Sequence, residues 1–181
     1  DGTQREGLSL SVEDKLRIAR ELDVLGVHYI EGGWPGSNPK DAEFFARARH
    51  LRLTNAKVAA FGSTRHPRNR CGDDPNIRAL VDAETLVVAL VGKTSVLHVE
   101  KVLETTREEN LRMIAESVAY LKGLGKEVVF DGEHFFDGYR LEPDYALAAA
   151  KAAATAGADC VVLCDTNGGS LPEDVAATVR A

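Results

Sequence analysis

With 181 residues, 44% of them hydrophobic and 28% charged, the chain is long enough for one substantial core and too apolar to stay disordered. Its net charge of −6 argues against a nucleic-acid or anionic-membrane surface, apart from a local basic patch at Arg65 to Arg70. No apolar run approaches the roughly 20 residues of a membrane span, and three cysteines without a CxxC support neither a disulfide framework nor a zinc site, so the expected compartment is the cytoplasm.

Asp1 to Gly7 sets a carboxylate and an amide in a glycine-flanked turn, the makeup of a working loop, and a strand is expected ahead of it. Ser11 with Asp14 forms a capping box, and Leu16, Ala19, Leu22 and Leu25 give a helical stripe that stops at Gly26. Val27 to Ile30 reads as a short buried strand delivering Glu31-Gly32-Gly33-Trp34-Pro35-Gly36, and Pro39 opens a helix to about His50. Val58 to Phe61 is the next strand, leading through Ser63 into the basic loop and a short helix from Asn76 to Asp82. Leu86 to Val91 is a strand ending in Gly92-Lys93-Thr94-Ser95. Thr106 and Glu109 predict a second capping box for a helix carrying Leu111, Ile114, Val118 and Leu121. Val128 to Phe130 then exits into Asp131-Gly132-Glu133-His134. An alanine-rich helix from Tyr145 to Ala156 precedes the strand Cys160 to Cys164, which leads into Asp165-Thr166-Asn167-Gly168-Gly169, and a last helix starts near Pro172.

Apolar strands alternating with helices imply parallel strands joined by right-handed crossovers. An open doubly wound sheet and a (β/α)8 barrel both fit that pattern. The barrel is favoured because nearly every strand exit carries a polar residue, namely Glu31, Ser63, Lys93, Glu133 and Thr166, whereas a nucleotide-binding sheet gathers its polar groups at one switch point. A barrel takes roughly 250 residues. The expected fold class is therefore α/β, an incomplete TIM barrel in which residues 1–181 supply about strands two to six of one catalytic domain.

Several motifs fail on inspection. Gly92-Lys93-Thr94 lacks the glycine that a phosphate-binding P-loop needs five positions earlier, where Val87 stands. No dinucleotide GxGxxG occurs, and neither Ser63 nor Ser170 sits on a nucleophile elbow. Lys93 is either a solvated lysine or a Schiff-base amine. Asp1 is either a turn-forming residue or a hard ligand for Mg2+, Mn2+ or Zn2+. Glu133, beside His134 and two phenylalanines, is either a surface carboxylate or an acid/base group.

Taken together, Asp1-Gly2-Thr3-Gln4, the run Ile30 to Asp41, Glu133 to Tyr139 and Cys164 to Gly169 resemble the metal-dependent Claisen-condensing TIM barrels that include the 2-isopropylmalate, homocitrate and citramalate synthases, and most of all the citramalate branch. The resemblance covers the chain in order. It implies that Asp1 is a metal ligand, that Gln4 lies beside the metal-bound substrate, that Glu133 is the catalytic glutamate, that Thr166 contacts a 2-oxo acid carboxylate, and that Glu31 and His134 belong to the substrate site. It further implies a divalent metal, acetyl-CoA as co-substrate, pyruvate as acceptor in a route to isoleucine, and a homodimer without nucleic-acid or membrane partners. The arginine that opens the family signature and its His-x-His metal pair are absent from these residues, so this stretch by itself is expected to be inactive. The competing expectations are a 2-isopropylmalate synthase and a non-catalytic binding module.

Overall fold

A computed structural model describes residues 6–181. Five strands form one sheet: β1 (Tyr29–Glu31), β2 (Lys57–Ser63), β3 (Val87–Lys93), β4 (Glu127–Glu133) and β5 (Cys160–Leu163). All neighbours are parallel and the order follows the sequence. A doubly wound sheet would break that order at a switch point, whereas a barrel does not. The interleaved helices are α1 (Val12–Leu25), α2 (Pro39–Ala48), α3 (Pro75–Asp82), α4 (Val96–Lys101), α5 (Arg107–Gly123), α6 (Phe135–Leu141), α7 (Pro143–Thr155) and α8 (Pro172–Arg180). Among the described residues no helix is long and apolar enough to cross a membrane.

Strand alternation divides the side chains into two layers. Ala60, Val88, Leu90, Val128 and Phe130 are buried with Leu16, Phe44, Ile77, Leu80, Ile114, Val118, Leu121 and Ala149 in one cluster beneath the helices. The other set, Phe61 and Ser63, Val91 and Lys93, Asp131 and Glu133, faces the concave side. How far the sheet curls is shown at its N-terminal end. The Tyr29 hydroxyl of β1 reaches the Glu127 carboxylate of β4, and Lys57 Nζ of β2 lies 2.6 Å from the same group. A flat sheet would hold β1 and β4 three strand spacings apart, about 14 Å. The five strands therefore form an arc of a barrel, as the sequence implies.

Local chemistry sets the helix starts. Ser11 and Asp14 exchange both bonds of a full capping box. At α5 only half of the expected box forms, because Thr106 accepts the Glu109 N–H while the Glu109 carboxylate is taken by Arg65 and Arg112. Asp74 caps α3, accepting the N–H groups of Asn76 and Ile77.

Two helices stand where the sequence reads as polar loop. α4 and α6 follow the strand ends carrying Lys93 and Glu133, and α6 packs so closely on the β3 exit that a Cβ on Gly138 would lie 2.6 Å from the Thr94 carbonyl oxygen. The first strand also runs Tyr29–Glu31, later than Val27 to Ile30, since the partner strand engages it only from the His28 carbonyl onward, through Lys57 N–H at 2.8 Å. Gly138→Ala is expected to displace α6 and destabilise the fold by about 1–3 kcal/mol, the usual cost of forcing atoms into a packed contact, read from the urea midpoint; a change below about 0.5 kcal/mol would show that the contact does not constrain α6.

Candidate active site

The C-terminal ends of β3, β4 and β5 converge on one polar cluster. Lys93 and Glu133, the last residues of β3 and β4, are paired in register, so both side chains leave the same face, and Lys93 Nζ forms an ion pair with the Glu133 carboxylate. Both are partly exposed, at 22% and 27% of the side chain, which leaves them accessible to a small molecule. The amine that a Schiff base would need free is engaged by the glutamate. Thr94 Oγ1 donates to the Glu133 carbonyl at 2.7 Å and Asn110 Nδ2 donates to the Lys93 carbonyl at 2.8 Å, fixing the backbone on both sides of the pair.

His134 turns the chain after Glu133. Its backbone is left-handed, φ 53° and ψ 37°, a conformation that costs a non-glycine residue about 1 kcal/mol or more and persists only where surroundings enforce it. Here its N–H donates to Thr166 Oγ1 at 2.8 Å, its carbonyl accepts the Gly138 N–H at 2.9 Å, and its ring lies 4.3 Å from that of His98 and 3.4 Å, at Nδ1, from Asp137. The ring thus packs among α4 and α6 beside the cluster, while the backbone ties Glu133 to Thr166. Thr166 Oγ1 is an acceptor in that bond, so its own O–H remains available to donate. Asp165 accepts from the Ser170 N–H and hydroxyl, and Asn167 donates to Asp137 at 2.7 Å; these bonds hold the Asp165-to-Gly169 turn against α6.

Below Glu133 lie carboxylates facing one another across the hollow. Burial, reinforced by Glu31, pushes the Asp131 carboxyl up to about 6. Burial and the Asp131, Glu133 and Glu31 charges push the Cys164 thiol up to about 12, so Cys164 is a poor nucleophile at neutral pH. Burial, then His134 and Lys93, hold His98 below the ordinary imidazole range. Glu31 also lines a cavity of about 910 Å³ with Trp34, Phe61 and residues of α1 and α2, in which the two aromatic rings meet edge to face at 5.7 Å. Glu133, His134 and Thr166 are thus joined at the ends of β4 and β5, whereas Glu31 lines the cavity beside α1 and α2 and bears on this cluster through its charge on Asp131 and Cys164; Asp1 and Gln4 lie outside the described residues. Among the described residues no three His, Cys, Asp or Glu side chains are placed to hold a metal ion. Sequence reasoning overlooked Asp131 as a site residue, although two-residue alternation places it on the same face as Glu133.

The sequence pattern of the HMGL-like family matches residues 1–181. The chain belongs to that family. Its relatives include the (R)-citramalate synthase of Aquifex aeolicus, 57% identical over 97% of this chain and 33% of that protein, and that of Geobacter sulfurreducens, 52% identical over 99% and 34%. The 2-isopropylmalate synthase of Saccharolobus solfataricus is 37% identical over 95% of this chain and 42% of its own. The chain thus spans about a third of the length of the citramalate synthases it matches. Solved structures agree on the fold: hydroxymethylglutaryl-CoA lyase from Pseudomonas aeruginosa, at 21% identity, superposes with a TM-score of 0.76, covering 100% of this chain and 60% of that one. The Bacillus subtilis lyase gives 0.77 at 17% identity over 99% and 60%. The incomplete TIM barrel read from this HMGL-like sequence is borne out.

Because the folded Asp131 carboxyl titrates near 6, against an ordinary 3.8, the native state keeps a proton that the unfolded chain has released between about pH 4 and pH 6. Stability from this residue therefore falls as pH rises through that window and stays lower above it. Asp131→Asn is expected to raise the urea midpoint relative to wild type at pH 7 and to change it little at about pH 4; an equal shift at both values would remove Asp131 as the titrating group.

Proposed function

We propose that this chain is part of an acyltransferase that condenses acetyl-CoA with pyruvate, giving (R)-citramalate and CoA. What carries the reading is that the likeness to (R)-citramalate synthases, 51–57% identical, runs over nearly the whole chain and includes the strand ends where Glu133 and Thr166 meet through His134. Residues 1–181 form part of the catalytic barrel, and the full-length protein is a cytoplasmic homodimer acting on small molecules in a pyruvate route to isoleucine.

Each candidate site residue has a task in that chemistry. The Thr166 hydroxyl, with its acceptor side occupied by the His134 N–H, donates to the carboxylate of the 2-oxo acid and fixes which end of it lies deep in the mouth. Glu133, held by Lys93, assists removal of a proton from the acetyl methyl group; the carbanion then attacks the keto carbon, the keto oxygen takes up a proton as its double bond opens, and water cleaves the thioester, releasing the new acid and the CoA thiol and driving the sequence forward. Glu31 and His134 shape the floor and wall of the substrate site, and Gln4 lies beside the acceptor. A divalent metal, Mg2+, Mn2+ or Zn2+, supplies Lewis-acid polarisation when bound, with Asp1 as the ligand this chain contributes.

In the full-length enzyme, Glu133→Gln is expected to lower kcat by about 10²–10⁴-fold, the usual share of a proton-transfer group, and Asp1→Asn to lower activity and metal affinity together; wild-type turnover by both variants would sink the assignment. The second reading, 2-isopropylmalate synthase, rests on relatives at 35–38% identity. Turnover of pyruvate against 2-oxoisovalerate separates the two, and a preference for the branched acid would favour the second.

A further inference from the structure

His98 takes no part in the chemistry above, although it stands beside the mouth on α4, the short helix that follows the β3 exit. Its backbone is fixed. The His98 N–H donates to the Ser95 carbonyl, and its own carbonyl accepts the N–H groups of Val102 and Leu103, all three at 3.0 Å. Val99, fully buried, anchors the same helix. The ring is therefore held in one approach, with its centroid 4.3 Å from that of His134 and the two planes 45° apart.

This contact completes a circuit around Thr166. The His134 N–H donates to Thr166 Oγ1 at 2.8 Å, and the His134 ring, at Nδ1, lies 3.4 Å from Asp137 Oδ2. The same carboxylate oxygen accepts from Asn167 Nδ2 at 2.7 Å, and Asn167 is the residue next to Thr166. His134 is thus tied to the Thr166 turn twice, through its backbone and through its ring. Asp137 holds that ring from α6, and His98 packs on it from α4. Because the His134 backbone is left-handed and persists only where its surroundings enforce it, support lost at the ring is felt at the N–H.

His98 suits that post because it is uncharged. Its Nδ1 is buried without a hydrogen-bond partner among the described residues, so a charged ring would bury an N–H that has no acceptor. Burial, then His134 and Lys93 of β3, disfavour a charge there and outweigh the attraction of Glu133 and Asp137. A neutral imidazole can rest against a second imidazole where two cations would be driven apart.

We propose that His98 is a positioning residue for the 2-oxo acid: packed on the His134 ring, it keeps the His134 N–H on Thr166 Oγ1 and so aims the hydroxyl that meets the substrate carboxylate. The proposal rests on the acyl-transfer reading above and adds to it a residue that acts only through His134. The test uses the full-length enzyme with acetyl-CoA and whichever of pyruvate and 2-oxoisovalerate it turns over. His98→Ala is expected to raise KM for the 2-oxo acid about tenfold, the scale of one weakened polar contact, and KM for acetyl-CoA by less than about twofold. His98→Phe restores a ring face without nitrogens, and its KM for the acid is expected to stay within about threefold of the unsubstituted value. With Thr166→Val already in place, His98→Ala should raise that KM by less than about threefold more, since the contact it serves is gone. An unchanged KM for the acid in His98→Ala, equal losses for both substrates, a full further tenfold loss in the Thr166→Val background, or His98→Phe as impaired as His98→Ala would each overturn the positioning role. Should His98→Ala fail to fold by circular dichroism, His98→Gln, which fills the space without a ring face, takes its place with the same expected and overturning outcomes. Turnover by the unsubstituted enzyme keeps the acyl-transfer reading whichever way these comparisons fall; no turnover of either acid overturns that reading and the positioning role together.

Discussion

The mouth of the arc depends on the register between β3 and β4. That pairing runs unbroken from Val87 opposite Glu127 to Lys93 opposite Glu133, and it decides which side chains look into the hollow. A slip of one residue would send Lys93, Asp131 and Glu133 into the helix layer and bring Gly92, Phe130 and Gly132 inward. The register is pinned by packing on the helix side, where Val88, Leu90, Val128 and Phe130 are all fully buried. Gly92 leaves room for the Phe130 ring: a Cβ there would come within 2.6 Å of it. An apolar contact beneath the helices thus determines the position of an ion pair on the opposite face.

The hollow itself is electrostatically uneven. Glu31, Asp131 and Glu133 share it, and Lys93 neutralises only the last. Burial raises the free energy of a charged Asp131, which is why its proton is retained so far above the ordinary carboxyl range. Part of the fold's stability is given up to keep acids in a confined space, a pattern typical of sites built for proton transfer.

The strands were legible in the sequence because each is a short apolar run bounded by turn residues, and the long helices because capping residues and a 3.6-residue stripe marked them. α4 and α6 were not. With six and seven residues they complete fewer than two turns, too few for a periodic stripe to stand out. α6 moreover begins at a left-handed histidine without a side-chain cap. Buried Phe135 and Phe136 hold it in place. Glu133 and Thr166 were visible as polar residues at strand exits, but their connection was not, since it passes through a backbone N–H 32 residues from its acceptor. The same holds for Lys93 and Glu133, 40 residues apart. Arg65 shows the converse, because a residue that reads as part of a basic surface patch is the buried strut of its loop.

The Tyr29, Lys57 and Glu127 trio, which shows how far the sheet curls, lies at the opposite end of the strands from Glu133. Along the described arc its groups hydrogen-bond one another, but Tyr29 and the Lys57 side chain are about half exposed, so the trio braces the strands and does not seal the hollow. β1 and β4 are not neighbours in the sheet. At that end the curvature is therefore carried by side chains, across a gap that no ladder of backbone hydrogen bonds spans.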